Sequence, residues 1–166
     1  MWTAKRIFTE LTDPDLRRSI LSDFWRHADR RSQAAAVAYL AKILHFRDGT
    51  IRKMPVERKA ELLATRLGVR EFDEFFEMAL MHYHTHHATE MMSAFLDLWS
   101  IPHENGTIGE EAYSPPTAGQ VRDAVRQLES HFDKRTMALY LASAGLLMGE
   151  GWSAGTWPVV DELAAA

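Results

Sequence analysis

Apolar positions recur at helical spacing along most of the chain, and nowhere do they alternate in the manner of a strand. Leu16, Ile20, Phe24 and Ala28 repeat every fourth residue behind Thr12-Asp13-Pro14, a cap followed by a first-turn proline. This predicts a first long helix to about Arg30. Ser32 can cap a second, through the alanine-rich stretch from Gln33 to Phe46, whose apolar edge is Leu40, Ile43 and Leu44. Asp48-Gly49 reads as its stop, glycine accepting the left-handed geometry that follows a helix end. Pro55 opens a third helix, with Ala60, Leu63 and Leu67 as its stripe and Gly68 as its stop. Glu71 to Trp99 contains neither proline nor glycine and predicts one continuous central helix, about 43 Å long at about 1.5 Å per residue. Pro102 ends it.

Ile101 to Pro116, rich in Gly, Glu and Pro, reads as one long irregular loop. Thr117 to Phe132 gives a fifth helix on Val121, Val125 and Leu128. Asp133 caps a sixth, carrying Met137, Tyr140, Leu141 and Leu147 before Gly149. Gly151 to Pro158 reads as a turn that opens a last short helix, its Trp152 and Trp157 stapling the C-terminus onto the rest. The fold expected is therefore all-α: a compact array of about six helices with one long central helix, a single domain over residues 1–166.

An echo within the chain points to two related helical halves, about 36–80 and 94–140. Asp48-Gly49-Thr50-Ile51 is matched by Asn105-Gly106-Thr107-Ile108, and each leads through a proline (Pro55, Pro116) to a helix ending in leucine (Leu67, Leu128). Phe72-Asp73 and Phe132-Asp133 follow, with Met78-Ala79-Leu80 and Met137-Ala138-Leu139 behind them. Offsets of this order suit a helical repeat.

Composition adds limits. With 46% hydrophobic and 25% charged residues the chain has the ordinary globular mixture, and 166 residues suffice for one hydrophobic core without staples. Cysteine is absent, which removes disulfides, thiolate metal sites and cysteine nucleophiles. The first ten residues turn charged before any apolar run develops, unlike a secretory signal. No stretch approaches the roughly 20 apolar residues that span a bilayer. The expectation is a protein in solution in the cytoplasm.

Net charge is −4, but it is unevenly spread. Residues 1–70 hold 15 Lys/Arg against 8 Asp/Glu, and residues 71–166 hold 4 against 15. The first half is thus basic and the second acidic, which suits mutual attraction within one molecule or between copies. Direct nucleic-acid binding is disfavoured, because no aromatic residues interleave with Arg17-Arg18, Arg30-Arg31 or Arg52-Lys53.

Candidate chemistry centres on His82-Tyr83-His84-Thr85-His86-His87. At 100° per residue the apolar stripe of the central helix comprises Phe72, Phe76, Ala79, Leu80, Tyr83, Ala94 and Leu98. His87 falls at its centre, Glu90 within it, and His84 on a flank, so the core face turns polar over Tyr83 and His87. His82, His86 and Glu90 stand at i, i+4 and i+8, an imidazole–imidazole–carboxylate row suited to zinc, iron or manganese. One helix rarely completes a metal site, and His27, His45, His131 or Asp29 are the side chains available to finish it. Neither His-Glu-x-x-His nor Glu-x-x-His is present, nor a phosphate-binding Gly-x-x-x-x-Gly-Lys or a Gly-x-Ser-x-Gly elbow. The leading expectation is a non-enzymatic helical module for protein–protein interaction or self-association. The alternative is a metal-binding protein or metal-dependent enzyme built on the histidines.

Overall fold

The computed structural model describes residues 1–166. It is all-α, with ten helices and a single two-stranded hairpin, so the fold class is as expected and the helix number larger. No helix is long and apolar enough to cross a membrane. The chain divides into two compact units, Thr12–Tyr83 and Met1–Leu11 with His84–Ala166.

In the second of these, α1 (Ala4–Glu10) begins behind Thr3, whose side chain accepts from the Arg6 amide. No repeat is long enough in so short a segment to announce this helix. It is held from a distance: Trp2 is fully buried and its indole N–H donates to Asp161 at 3.1 Å. Arg6 lies over the Trp2 ring at 3.8 Å and also reaches Asp161.

The unit Thr12–Tyr83 begins with α2 (Pro14–His27), α3 (Arg30–Leu44), α4 (Asp48–Arg52) and α5 (Val56–Ala64). Asp13 caps α2, accepting from the Leu16 amide at 2.8 Å, with Pro14 in the first turn. Asp29, rather than Ser32, caps α3, and it accepts from both the amide and the hydroxyl of Ser32. The stop of α3 is His45 in the left-handed region at φ 55°. Phe46 N–H then reaches back to the Ala41 carbonyl at 3.0 Å, a helix-ending pattern that needs no glycine. Asp48-Gly49 opens α4 instead of ending α3. Helix α5 packs on α2, and the core gathers Ile20, Leu21, Phe24, Leu40, Ile51, Leu63, Phe72 and Phe76.

A 3₁₀ turn at Arg70–Phe72 leads into α6 (Asp73–His87), and α7 (Thr89–Leu98) follows. The expected single helix from Glu71 to Trp99 is thus two helices, parted at Ala88 with φ −126° and ψ 21°. No proline or glycine marks the break. Its consequence is a new buried face: α7 buries Met91, Met92, Phe95 and Leu96, leaving Leu98 exposed. The straight-helix stripe through Ala94 and Leu98 is therefore not the one the fold uses.

The segment expected to be irregular contains β1 (His103–Glu104) paired with β2 (Thr107–Ile108). Asn105 and Gly106 both take positive φ, 50° and 83°, the Asn-Gly turn that matches strand twist. His103 fixes it, Nδ1 accepting from the Gly106 amide at 3.1 Å while Nε2 donates to Asp97 at 2.9 Å. Gly49 is helical and Gly106 forms this turn. The proposed alignment of the halves 36–80 and 94–140 therefore fails at its first landmark. Its later landmarks fall on elements of the same type, Phe72-Asp73 and Phe132-Asp133 each standing at a helix start.

Helix α8 (Ala118–Leu128) carries a full capping box between Thr117 and Gln120, and Asp133 caps α9 (Lys134–Met148). The C-terminal segment is α10 (Glu150–Ala165), a full helix with Pro158 inside it rather than a turn and a short last helix. Its packing on α9 outweighs the backbone hydrogen bond that an interior proline forgoes. A side chain at Gly145 would collide with Trp157 and Thr156, and one at Gly155 with the Pro116 carbonyl. Both tryptophans anchor this segment: Trp157 donates to the Ala142 carbonyl and Trp152 to the Tyr113 hydroxyl, each at 3.3 Å.

Candidate functional site

The histidine tract occupies the last two turns of α6, and successive residues there meet different surroundings. His84 is the buried member, at 4% exposure. It lies four residues after Leu80, itself four after Phe76, so the buried line runs Phe76, Leu80, His84. His87, expected at the centre of the apolar stripe, is exposed, as are His86 and Glu90, while Tyr83 and His82 are half-buried. The polar core position is therefore His84, because the helix ends at His87 and its apolar line drifts from the 100° projection.

His84 Nε2 stands 3.1 Å from Ser143 Oγ. The Ser143 hydroxyl donates to the Leu139 carbonyl one turn back on α9, at 2.7 Å, so its lone pairs face the imidazole. His84 accordingly donates through Nε2–H and is the neutral tautomer. Burial pushes its pKa down to about 4. A serine–histidine pair is the core of a nucleophilic site when the imidazole accepts the hydroxyl proton. Here the proton runs the other way, from ring to hydroxyl, and both groups are buried, so the pair ties His84 to α9 within its own unit and does not activate Ser143.

Aromatic rings extend from this contact. The His84 ring meets Tyr140 edge-on at 5.6 Å, Tyr140 meets Phe95 at 5.5 Å, and Phe95 meets Trp99 at 5.1 Å. Trp99 packs against Trp152 at 5.8 Å. Burial raises the Tyr140 hydroxyl well above its ordinary pKa, so this column is a neutral, apolar seam with two hydroxyls in it.

In the other unit the ring of His82 approaches that of His27 on α2, centroids 6.1 Å apart. His27 Nε2 lies 3.7 Å from Oδ1 of Asp23, a carboxylate nearly fully buried one turn earlier. His27 was among the side chains foreseen to complete a site with His82. The other three do different work: Asp29 caps α3, His45 ends it, and His131 Nδ1 lies 3.0 Å from Ser130 Oγ. The metal row is not assembled. The break at Ala88 removes Glu90 from the line of His82 and His86, and nowhere do three His, Asp or Glu side chains converge closely enough to hold a metal ion.

Sequence reasoning missed Ser143 and Asp23. Ser143 had a signal, as the one hydroxyl in the small apolar run Leu141-Ala142-Ser143-Ala144-Gly145. Asp23 had its position, one turn before His27 and beside Phe24. No family model, curated protein or solved structure matches the chain.

Proposed function

We propose that the protein is a non-enzymatic helical interaction module that associates with a second copy of itself, in a cytoplasmic setting. The observation that carries this reading is the uncovered apolar row at the end of α3. Tyr39 and Ile43 are 43% and 39% exposed, and Phe46, just past the left-handed cap, is 47% exposed. Tyr39 and Ile43 stand one turn apart on α3, the spacing of a helix face that anchors in a partner's groove, and Phe46 follows just beyond its cap. Large side chains scattered singly over a surface need no such explanation, but Tyr39, Ile43 and Phe46 are all exposed where α3 ends.

Charge supports a second copy as the occupant. Thr12–Tyr83 holds 13 Lys/Arg against 11 Asp/Glu, and the remainder of the chain 6 against 12. Two copies can therefore set a slightly basic unit against a strongly acidic one, which favours encounter between them. A metal-dependent reading draws no support from the structure, in which no three His, Asp or Glu side chains converge. Mass in solution tests the proposal: a dimer that Ile43→Glu converts to monomer supports it, and a parent chain that is monomeric at every concentration overturns it.

A further inference from the structure

We propose that a basic cleft framed by α2, α3, α4 and α5 is a binding site for a small phosphate-bearing anion. The cleft encloses about 290 Å³ and is lined by Trp25, Arg30, Gln33, Val37, Arg52 and Lys59, with Ala34 beside them. No carboxylate lines it. Drug-sized ligands occupy pockets of about 300–1,000 Å³, so this cleft suits something no larger than a phosphomonoester.

The cations of this cleft differ from their neighbours. Arg18 pairs with Asp15 and Glu61, Arg26 with Glu57, and Arg58 with Glu61. Arg30, Arg52 and Lys59 have no carboxylate within ion-pair distance, and the nearby acids are engaged elsewhere, Glu57 with Arg26 and Asp29 as the cap of α3. Lys59 is the most confined of the three. Its ammonium lies 5.0 Å from the centroid of the Trp25 ring, and partial burial lowers its pKa. A partly desolvated ammonium without a counter-charge is unfavourable, and an anion beside it removes that penalty.

Trp25 is 4% exposed and presents its ring to the Lys59 ammonium. The cleft thus combines two guanidinium forks and an ammonium around the edge of that ring. Guanidinium groups match phosphate oxygens in pairs, and three positive charges suit a dianion better than a monoanion such as chloride. None of Tyr39, Ile43 and Phe46 lines the cleft, so this site stands or falls independently of self-association.

The test is titration of the full chain with inorganic phosphate and with glycerol phosphate at constant ionic strength, chloride serving as the control anion. Calorimetry follows affinity and two-dimensional NMR follows the indole N–H signals, that of Trp25 being identified by its loss in Trp25→Phe. The expected result is saturable one-to-one binding that shifts the Trp25 indole. Arg52→Gln and Lys59→Gln should each weaken binding by about tenfold, the worth of one charge-assisted contact, with the helical circular dichroism spectrum unchanged. Chloride matching phosphate, or the double variant binding as the parent does, overturns the proposal. An oligonucleotide without terminal phosphate binding more tightly than glycerol phosphate overturns it in favour of a nucleic-acid backbone.

Discussion

His84 Nε2 sits 3.1 Å from Ser143 Oγ, a buried contact across 59 residues of sequence. It makes the stability of the protein depend on the charge of one ring. Folding lowers the pKa of His84 from 6.5 to about 4, so the unfolded chain takes up a proton over a range in which the folded chain does not. Stability from the neutral ring is complete above pH 6.5 and is lost progressively as pH falls toward 4. The full loss is about 3 kcal/mol. Melting temperature measured from pH 7 to pH 4 should fall more steeply in the parent than in His84→Gln, whose amide stays neutral. Parallel profiles would show that His84 is not held neutral.

Ser143→Ala removes the acceptor of a buried donor. The expected loss is about 1–3 kcal/mol of unfolding free energy, read by denaturant titration. His84→Leu in the same background should recover part of it, since removing both partners leaves nothing unpaired. No recovery in the double variant would mean that Ser143 contributes through packing alone.

Exposed neighbours in the same tract should behave otherwise. His86→Leu should alter stability by no more than about 0.5 kcal/mol, as at ordinary surface sites. Added zinc or manganese should not raise the melting temperature of the parent above that of the variant. Stoichiometric metal retained by the parent and lost from His86→Leu would contradict the absence of three converging ligands.

Close approach of α9 and α10 makes Gly145 irreplaceable by a larger residue. An added methyl there meets Trp157 and Thr156, and overpacking of this kind costs about 1–3 kcal/mol. Gly145→Ala should lower the denaturation midpoint accordingly, whereas Gly119→Ala, whose nearest neighbour outside its own helix backbone is 3.9 Å away, should not. Equal effects would show that helix propensity decides both.

These contrasts mark what local sequence reveals. Asp13-Pro14, Thr117 with Gln120, and Asp133 announce helix starts because a cap acts within three residues, and each is present in the fold. The interruption at Ala88 carries no local sign, since alanine is the best helix former; it is set by the side chains that α7 buries. A straight projection through that interruption carries the apolar stripe one helix too far and turns His87 and Glu90 inward, where His84 alone is buried. The early start and full length of helix α10, in place of a turn and a short last helix, are hidden for a related reason. Gly151, Gly155 and Pro158 signal a turn locally, while contact with α9 decides the outcome. Helix α1 is not legible locally because its main support, Trp2 against Asp161, spans nearly the whole chain.

The exposure of Tyr39, Ile43 and Phe46 carries the functional account, and sedimentation equilibrium of the full chain tests it most directly. The parent should show a concentration-dependent monomer–dimer equilibrium, and Ile43→Glu and Phe46→Glu should each be monomeric with an unchanged helical circular dichroism spectrum. A parent that is monomeric throughout, or glutamate variants that dimerise as the parent does, would contradict it.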